Sequence, residues 1–204
     1  MTSKALVISL IISILAVYSA HAGGLRFTYG VDWGATVQFF RADRMAFYTE
    51  EQFLVQTRQS RTLYHTNGHC LLTAGVDIGE KFTLSACTGY QGLAPGKRGY
   101  PIALQGRFFP RSSARSGLVL GADGGILLDE KFSGRPGWTG RVSAGWRLPL
   151  GSRLKMDVQA GWQVSLIHPQ QFTDPISGGF VTGDRVRFAN SWLQGVFVGL
   201  SLHL

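Results

Sequence analysis

Beyond its first 22 residues the chain has no apolar run of the roughly 20 residues that a membrane-spanning helix needs. Acidic residues are few, 12 against 20 Lys and Arg, which leaves a net charge of +8. Cysteine is scarcer still, at Cys70 and Cys87 only, and no Cys, Trp, Cys spacing of the immunoglobulin kind is present. Helical periodicity, repeats, low-complexity tracts and linkers are likewise missing. These gaps exclude a helical membrane protein and a chain of several domains. What is abundant is glycine, with 27 residues, and aromatic side chains, at 12%.

The amino-terminal segment is set apart from the fold. Lys4 gives a charged start, Ala5 to Tyr18 is almost wholly apolar, and Ser19-Ala20-His21-Ala22 ends in an Ala-x-Ala pattern. This predicts a cleaved secretory signal over 1–22 and one mature domain over 23–204.

Within that domain Leu154 to Leu166 alternates strictly, with apolar residues at even positions and polar residues or glycine at odd ones. Period two of this kind marks a strand between an apolar and a polar environment. The pattern recurs over 25–40, 67–79, 82–91, 99–109, 117–128, 138–149, 153–168 and 191–204. Most segments reach the roughly 9 to 11 residues that a tilted strand needs to cross a bilayer. Their apolar registers carry no charge, and aromatics gather near the margins: Tyr90, Tyr100, Trp138, Trp162 and Trp192 at one side, Phe27, Phe82 and Trp146 at the other. The expected fold is all-β, an eight-stranded antiparallel up-and-down transmembrane β-barrel in the cell outer membrane. A soluble barrel of the lipocalin type is the alternative.

Connector lengths orient it. Glu80-Lys81, 110–116 and Leu150-Gly151-Ser152 read as periplasmic turns, whereas 41–66, 92–98, 129–137 and 169–190 read as extracellular loops. Cys70 falls on an apolar register and Cys87 on a polar one, so the two thiols face apart and stay free.

An eight-stranded barrel is only wide enough for its own side chains. The polar registers carry Arg26, Arg107, Arg141, Arg147 and Lys155 against Asp32, Asp77, Asp123 and Asp157. Near balance is what a closed ion-pair network requires, because unpaired buried charge is costly. Arg107, Arg147, Asp77 and Asp157 are expected to cluster near the periplasmic end. These residues form no metal or catalytic-triad signature, so no metal and no cofactor is expected. Cationic loop residues Arg41, Arg44, Lys97 and Arg98 are assigned to lipopolysaccharide phosphates, with solvated loop charge as the plainer reading. An exported barrel has no nucleic-acid partner. The expected partners are outer-membrane lipid and lipopolysaccharide, and an extracellular protein or glycan through loops 41–66 and 169–190; a monomer is expected.

Gly30-Val31-Asp32-Trp33-Gly34, Asn67-Gly68-His69, Gly89-Tyr90-Gln91-Gly92 and Arg147-Leu148-Pro149-Leu150 carry a family likeness. Through them the mature chain resembles the small outer-membrane β-barrel proteins of Bacteroidetes that have no assigned activity, with an architecture similar to the OmpA and OmpX type. The resemblance implies a structural, adhesion or ligand-binding role, with lipid-modifying enzymes as a minority among such barrels. The terminal aromatic common in them is absent here, where the chain ends Leu200-Ser201-Leu202-His203-Leu204. His65-Thr66-Asn67 faintly resembles the His-x-Ser-Asn pattern of lipid A deacylases, but the hydroxyl adjoins the histidine and no acidic partner is evident. His65 and His69 therefore read as loop-end residues and the chain as no enzyme. A lipid A hydrolase and a narrow solute channel are the two alternatives.

Overall fold

The computed structural model describes residues 26–49, 51–94, 97–129, 135–151, 153–169, 172–173, 179–181 and 183–204. The expected signal at 1–22 and Leu25 lie outside them. Eight strands form the wall: β1 (Arg26–Tyr48), β2 (Leu54–Ile78), β3 (Phe82–Ala94), β4 (Lys97–Phe108), β5 (Gly117–Asp129), β6 (Gly137–Pro149), β7 (Lys155–Ile167) and β10 (Val186–His203). Each pairs antiparallel with its neighbours, and β10 closes on β1. Closure leaves the wall without an open edge, the condition for a sheet to sit in lipid. Between β7 and β10 lie a two-stranded ladder of β8 (Phe172–Thr173) and β9 (Phe180–Val181) and a 3-10 turn at Gly183–Arg185.

Alternation decides the faces. Asp157, Gln159, Gln163 and Ser165 of β7 are buried in the lumen, while Val158 and Trp162 stand exposed on the outside. The same holds round the wall, where Leu72, Leu104, Val142 and Val198 are each about 60% exposed. Soluble monomers rarely show so continuous an apolar surface.

At one end the chain reverses in short turns. Gly79 adopts φ 65°, a left-handed conformation that suits glycine, between β2 and β3. The 110–116 turn folds inward: Ser113 N–H donates to Glu80 O at 2.6 Å and Phe109 N–H to Lys81 O at 2.8 Å. Its extra length makes a floor for the barrel, which is why it is as long as the connector at 92–98.

At the other end two expected loops prove to be largely strand, and a third in part. Residues 41–48 and 54–66 belong to β1 and β2, joined by a tip in which Thr49 N–H donates to Phe53 O at 2.9 Å. Residues 92–94 and 97–98 extend β3 and β4, and 186–190 extend β10. Among the described residues β3 pairs with β2 only over His69–Ile78, and β7 with β10 only from Ser191 onward. In the ladder, Val186–Asn190 and Leu54–Gly68 therefore pair with β1 alone, and His168 Nδ1 contacts Ala189 O and Asn190 Oδ1 at 3.3 and 2.8 Å. Together they form a three-stranded blade that rises beyond the rim, with roughly 45 Å of β2 at about 3.3 Å per residue.

A bulge sets the blade's facing. Gln38 pairs with Gly195 and His65, but Phe40 pairs with Gln194 and Thr62, so Phe39 is an extra residue against β10, while β2 sets Leu63 and Tyr64 against it and carries the extra residue on its side. Even-numbered side chains of β1 point inward up to Gln38 and odd-numbered ones from Arg41 onward, which buries Asp43, Met45 and Phe47.

Candidate functional site: the lumen and its two ends

Strands β1, β4, β6, β7 and β10 each contribute one ionisable side chain to a buried cluster near the turn end. Nη2 of Arg107 donates to both oxygens of Asp32, at 2.8 and 3.0 Å, and its Nη1 lies 3.5 Å from Asp157 Oδ2. Nε and Nη2 of Arg147 donate to the two oxygens of Asp157 at 2.6 and 2.7 Å. Bidentate pairs of this kind are the strongest ionic contacts available. His203 packs against the Arg107 guanidinium, with Nε2 3.6 Å from Asp157 and 3.9 Å from Asp32. A guanidinium only donates, so the imidazole nitrogen facing it accepts. Below, Arg147 lies 4.0 Å over the Phe109 ring and donates to Ser113 O at 2.9 Å, which ties the cluster to the floor.

The next layer is a separate ion pair. Arg141 of β6 meets Asp123 of β5 through Nε and Nη2, both at 2.8 Å, and stacks 5.2 Å from the Phe197 ring. His69 meets the same ring edge-on at 5.8 Å. Glycine makes room for it, because a Cβ at Gly34 would lie 2.9 Å from His69 Cε1. Above, Gln91 donates to Thr139 and Ser165 at 3.3 and 3.2 Å. An aliphatic layer of Leu93, Leu127, Ile167 and Leu193 follows. At the blade's root Asp43 binds Arg41 at 2.7 Å and Ser191, with Arg61 at 3.8 Å.

Of the nine charges expected in the lumen, Asp32, Arg107, Arg147 and Asp157 meet in one cluster and Asp123 with Arg141 in another, a grouping that differs from the expected one. Asp32 takes the place expected of Asp77 beside Arg107, Arg147 and Asp157. Asp77 instead accepts from Thr83 Oγ1 at 2.5 Å and lines the mouth of the barrel with Arg26 and Lys155. That mouth is a cavity of about 390 Å³, whose wall also includes Arg153, Phe27 and Leu204.

His69 is not a loop-end residue: it is buried in the lumen on β2, and His65 is a strand residue too. On that strand His65 takes the inward register and Thr66 the exposed outward one. His203 was legible but unread, since Leu200, Leu202 and Leu204 put Ser201 and His203 on the inward register. Cys70 is exposed outside, Cys87 is buried inside, and both are free.

The four cations assigned to lipopolysaccharide divide by register. Arg41 turns into the lumen, and Lys97 alternates with the outward Arg98. Arg44 faces out, 5.7 Å from the Phe188 ring, and is paired across the ladder with Arg58.

The molecule is thus a closed eight-stranded barrel with an apolar exterior and a lumen filled with polar side chains, in which the buried aspartates are paired with arginines. No protein-family model and no curated protein matches the chain. Among solved structures it is similar in chain course to the outer membrane protein OprG from Pseudomonas aeruginosa, at 13% identity and a TM-score of 0.48, over 89% of this chain and 98% of that one. The outer membrane protein AlkL gives 14% identity and 0.37, covering 85% and 90%. Ail, the attachment invasion locus protein of Yersinia pestis, solved with the heparin analogue sucrose octasulfate, gives 10% and 0.31, covering 85% and 99%.

Proposed function

We propose that this chain is an integral outer-membrane β-barrel, closed by its own side chains, that presents the β10–β1–β2 blade to partners outside the cell. The observation that carries the reading is the blade itself: three strands continue past the rim, with polar side chains on both faces of β2 between Gln56 and Thr62. Segments wetted on both sides have no use for lipid. Supporting the membrane assignment are wall closure and an outward register free of charge from Phe27 to Ala42 of β1. Short turns at the opposite end support a periplasmic placement of that end.

Lipopolysaccharide is the lipid partner in this reading. Arg44 and Arg58 oppose each other on the outer face of the blade, one outward position beyond the Ala42–Trp192 pair. Like charges placed directly opposite repel. A phosphate between them relieves that repulsion. The role is one of display rather than catalysis, consistent with His65 and Thr66 taking opposite faces of β2.

Trypsin added to intact cells tests the reading. Cleavage at exposed Arg58 or Arg61, leaving a core that still migrates differently on unboiled and boiled gels, is the expected result. Protection of both sites in intact cells and cleavage only after lysis would overturn the orientation. Removing residues 46–56 should keep the heat-modifiable core and abolish attachment to the partner; unchanged envelope and binding phenotypes would remove the blade's role.

A further inference from the structure

The mouth cavity at the turn end has more cationic side chains than its acids balance. Arg107 and Arg147 are held by Asp32 and Asp157, whereas Arg26, Arg153 and Lys155 share one acidic side chain, Asp77, on a wall that also includes Leu204 with its α-carboxylate. Its volume of about 390 Å³ lies within the roughly 300–1,000 Å³ typical of small-molecule sites. The lining mixes the two registers: Arg26, Thr28 and Lys155 come from the inner face, but Phe27, Tyr29 and Leu204 belong to the apolar exterior. The cavity therefore opens onto the belt and not only toward the aqueous end.

A second, apolar groove adjoins it on the outside. It is about 730 Å³, is walled by Val31, Leu72, Ile102 and Leu202, and shares Tyr29 and Leu204 with the basic cavity. Basic cavity and apolar groove meet along those two residues.

We propose that this pair of sites holds one anionic phospholipid of the inner leaflet, its phosphate among Arg26, Arg153 and Lys155 and an acyl chain along the groove. Guanidinium groups match phosphate oxygens through charge-assisted, two-pronged hydrogen bonds, and lysine adds a point charge. The lipid assignment follows from the continuity of the two sites, since a free anion would use the cavity and leave the groove empty. It rests on the membrane reading above and on the periplasmic placement of the turns.

The test uses the whole mature barrel in a non-ionic detergent, with native mass spectrometry of bound lipid. Phosphatidylglycerol should bind at least tenfold more tightly than phosphatidylcholine, and the triple variant Arg26→Gln/Arg153→Gln/Lys155→Gln should lose at least tenfold of that affinity. Arg58→Gln at the far end should lose none. Equal affinity for the two lipids, or an unaltered triple variant, overturns the proposal. Displacement of phosphatidylglycerol by an equal concentration of inorganic phosphate also overturns it, by reassigning the cavity to a free anion. Heat-modifiable migration of each preparation checks that the barrel is folded. A preparation lacking it would count against the membrane reading itself, which keeps the two failures apart.

Discussion

Asp123 and Arg141 illustrate how charge is tolerated inside the barrel. Their side chains are only 8% and 3% exposed, so each depends on the other to offset the loss of water. Replacing Arg141 with Leu leaves the carboxylate of Asp123 buried and uncompensated, and should cost about 3–5 kcal/mol. The double variant Arg141→Leu/Asp123→Leu should recover most of that, because an apolar pair needs no desolvation. Urea unfolding in lipid vesicles, compared across the cycle, checks this; equal losses in the single and double variants would show that the pair is not the source of the cost. Cysteine offers a second test at this scale. Cys70, on the outer face, should react with a membrane-permeant maleimide in the folded barrel, and Cys87 only after unfolding. Faces such as these were readable from parity alone. Partners were not, because parity says nothing about height along the axis, and so Asp32 and not Asp77 stands beside Arg107.

Strand ends were the least legible elements, for a physical reason that differs from one to the next. In β1 the alternation stops at Phe39-Phe40, where the bulge inserts one residue and exchanges the faces. A period-two reading ends there of necessity. In β2 the stretch from Gln56 to Thr62 carries polar side chains on both faces, so it has no period-two pattern to read. Inserting one glycine between Phe40 and Arg41 undoes the exchange of faces made by the bulge, and would turn Asp43 outward and Arg44 inward. The expected outcome is a blade cut by trypsin at lower protease concentration, on a barrel whose heat-modifiable migration is unchanged; an equally resistant blade would show that the bulge does not set its packing. The inward fold of 110–116 was also hidden, since its hydrogen bonds to Glu80 and Lys81 join two connectors remote in sequence.

For the molecule as a whole, the stacked layers close the axis. Paired ions, an arginine on an aromatic ring, glutamine with hydroxyls and an aliphatic group succeed one another from the floor to the blade. Such a lumen should give no stepwise current in planar bilayers, and removing the aliphatic layer by Leu93→Gly/Leu193→Gly should still not open it, because the ionic layers remain. Steady single-channel steps from the unaltered barrel would refute the closed-lumen reading.

Strand number, the faces of the wall short of the bulge and much of the lumen's charge were legible in the sequence alone, because an apolar exterior and a narrow polar interior impose period two along regular strand. The pairing of ions, the seat of His69 at Gly34, the blade and the basic mouth beside an apolar groove were decided only in the tertiary structure. Each depends on which residues reach the same height from different strands, and that is set by closure, stagger and a single bulge rather than by any local pattern.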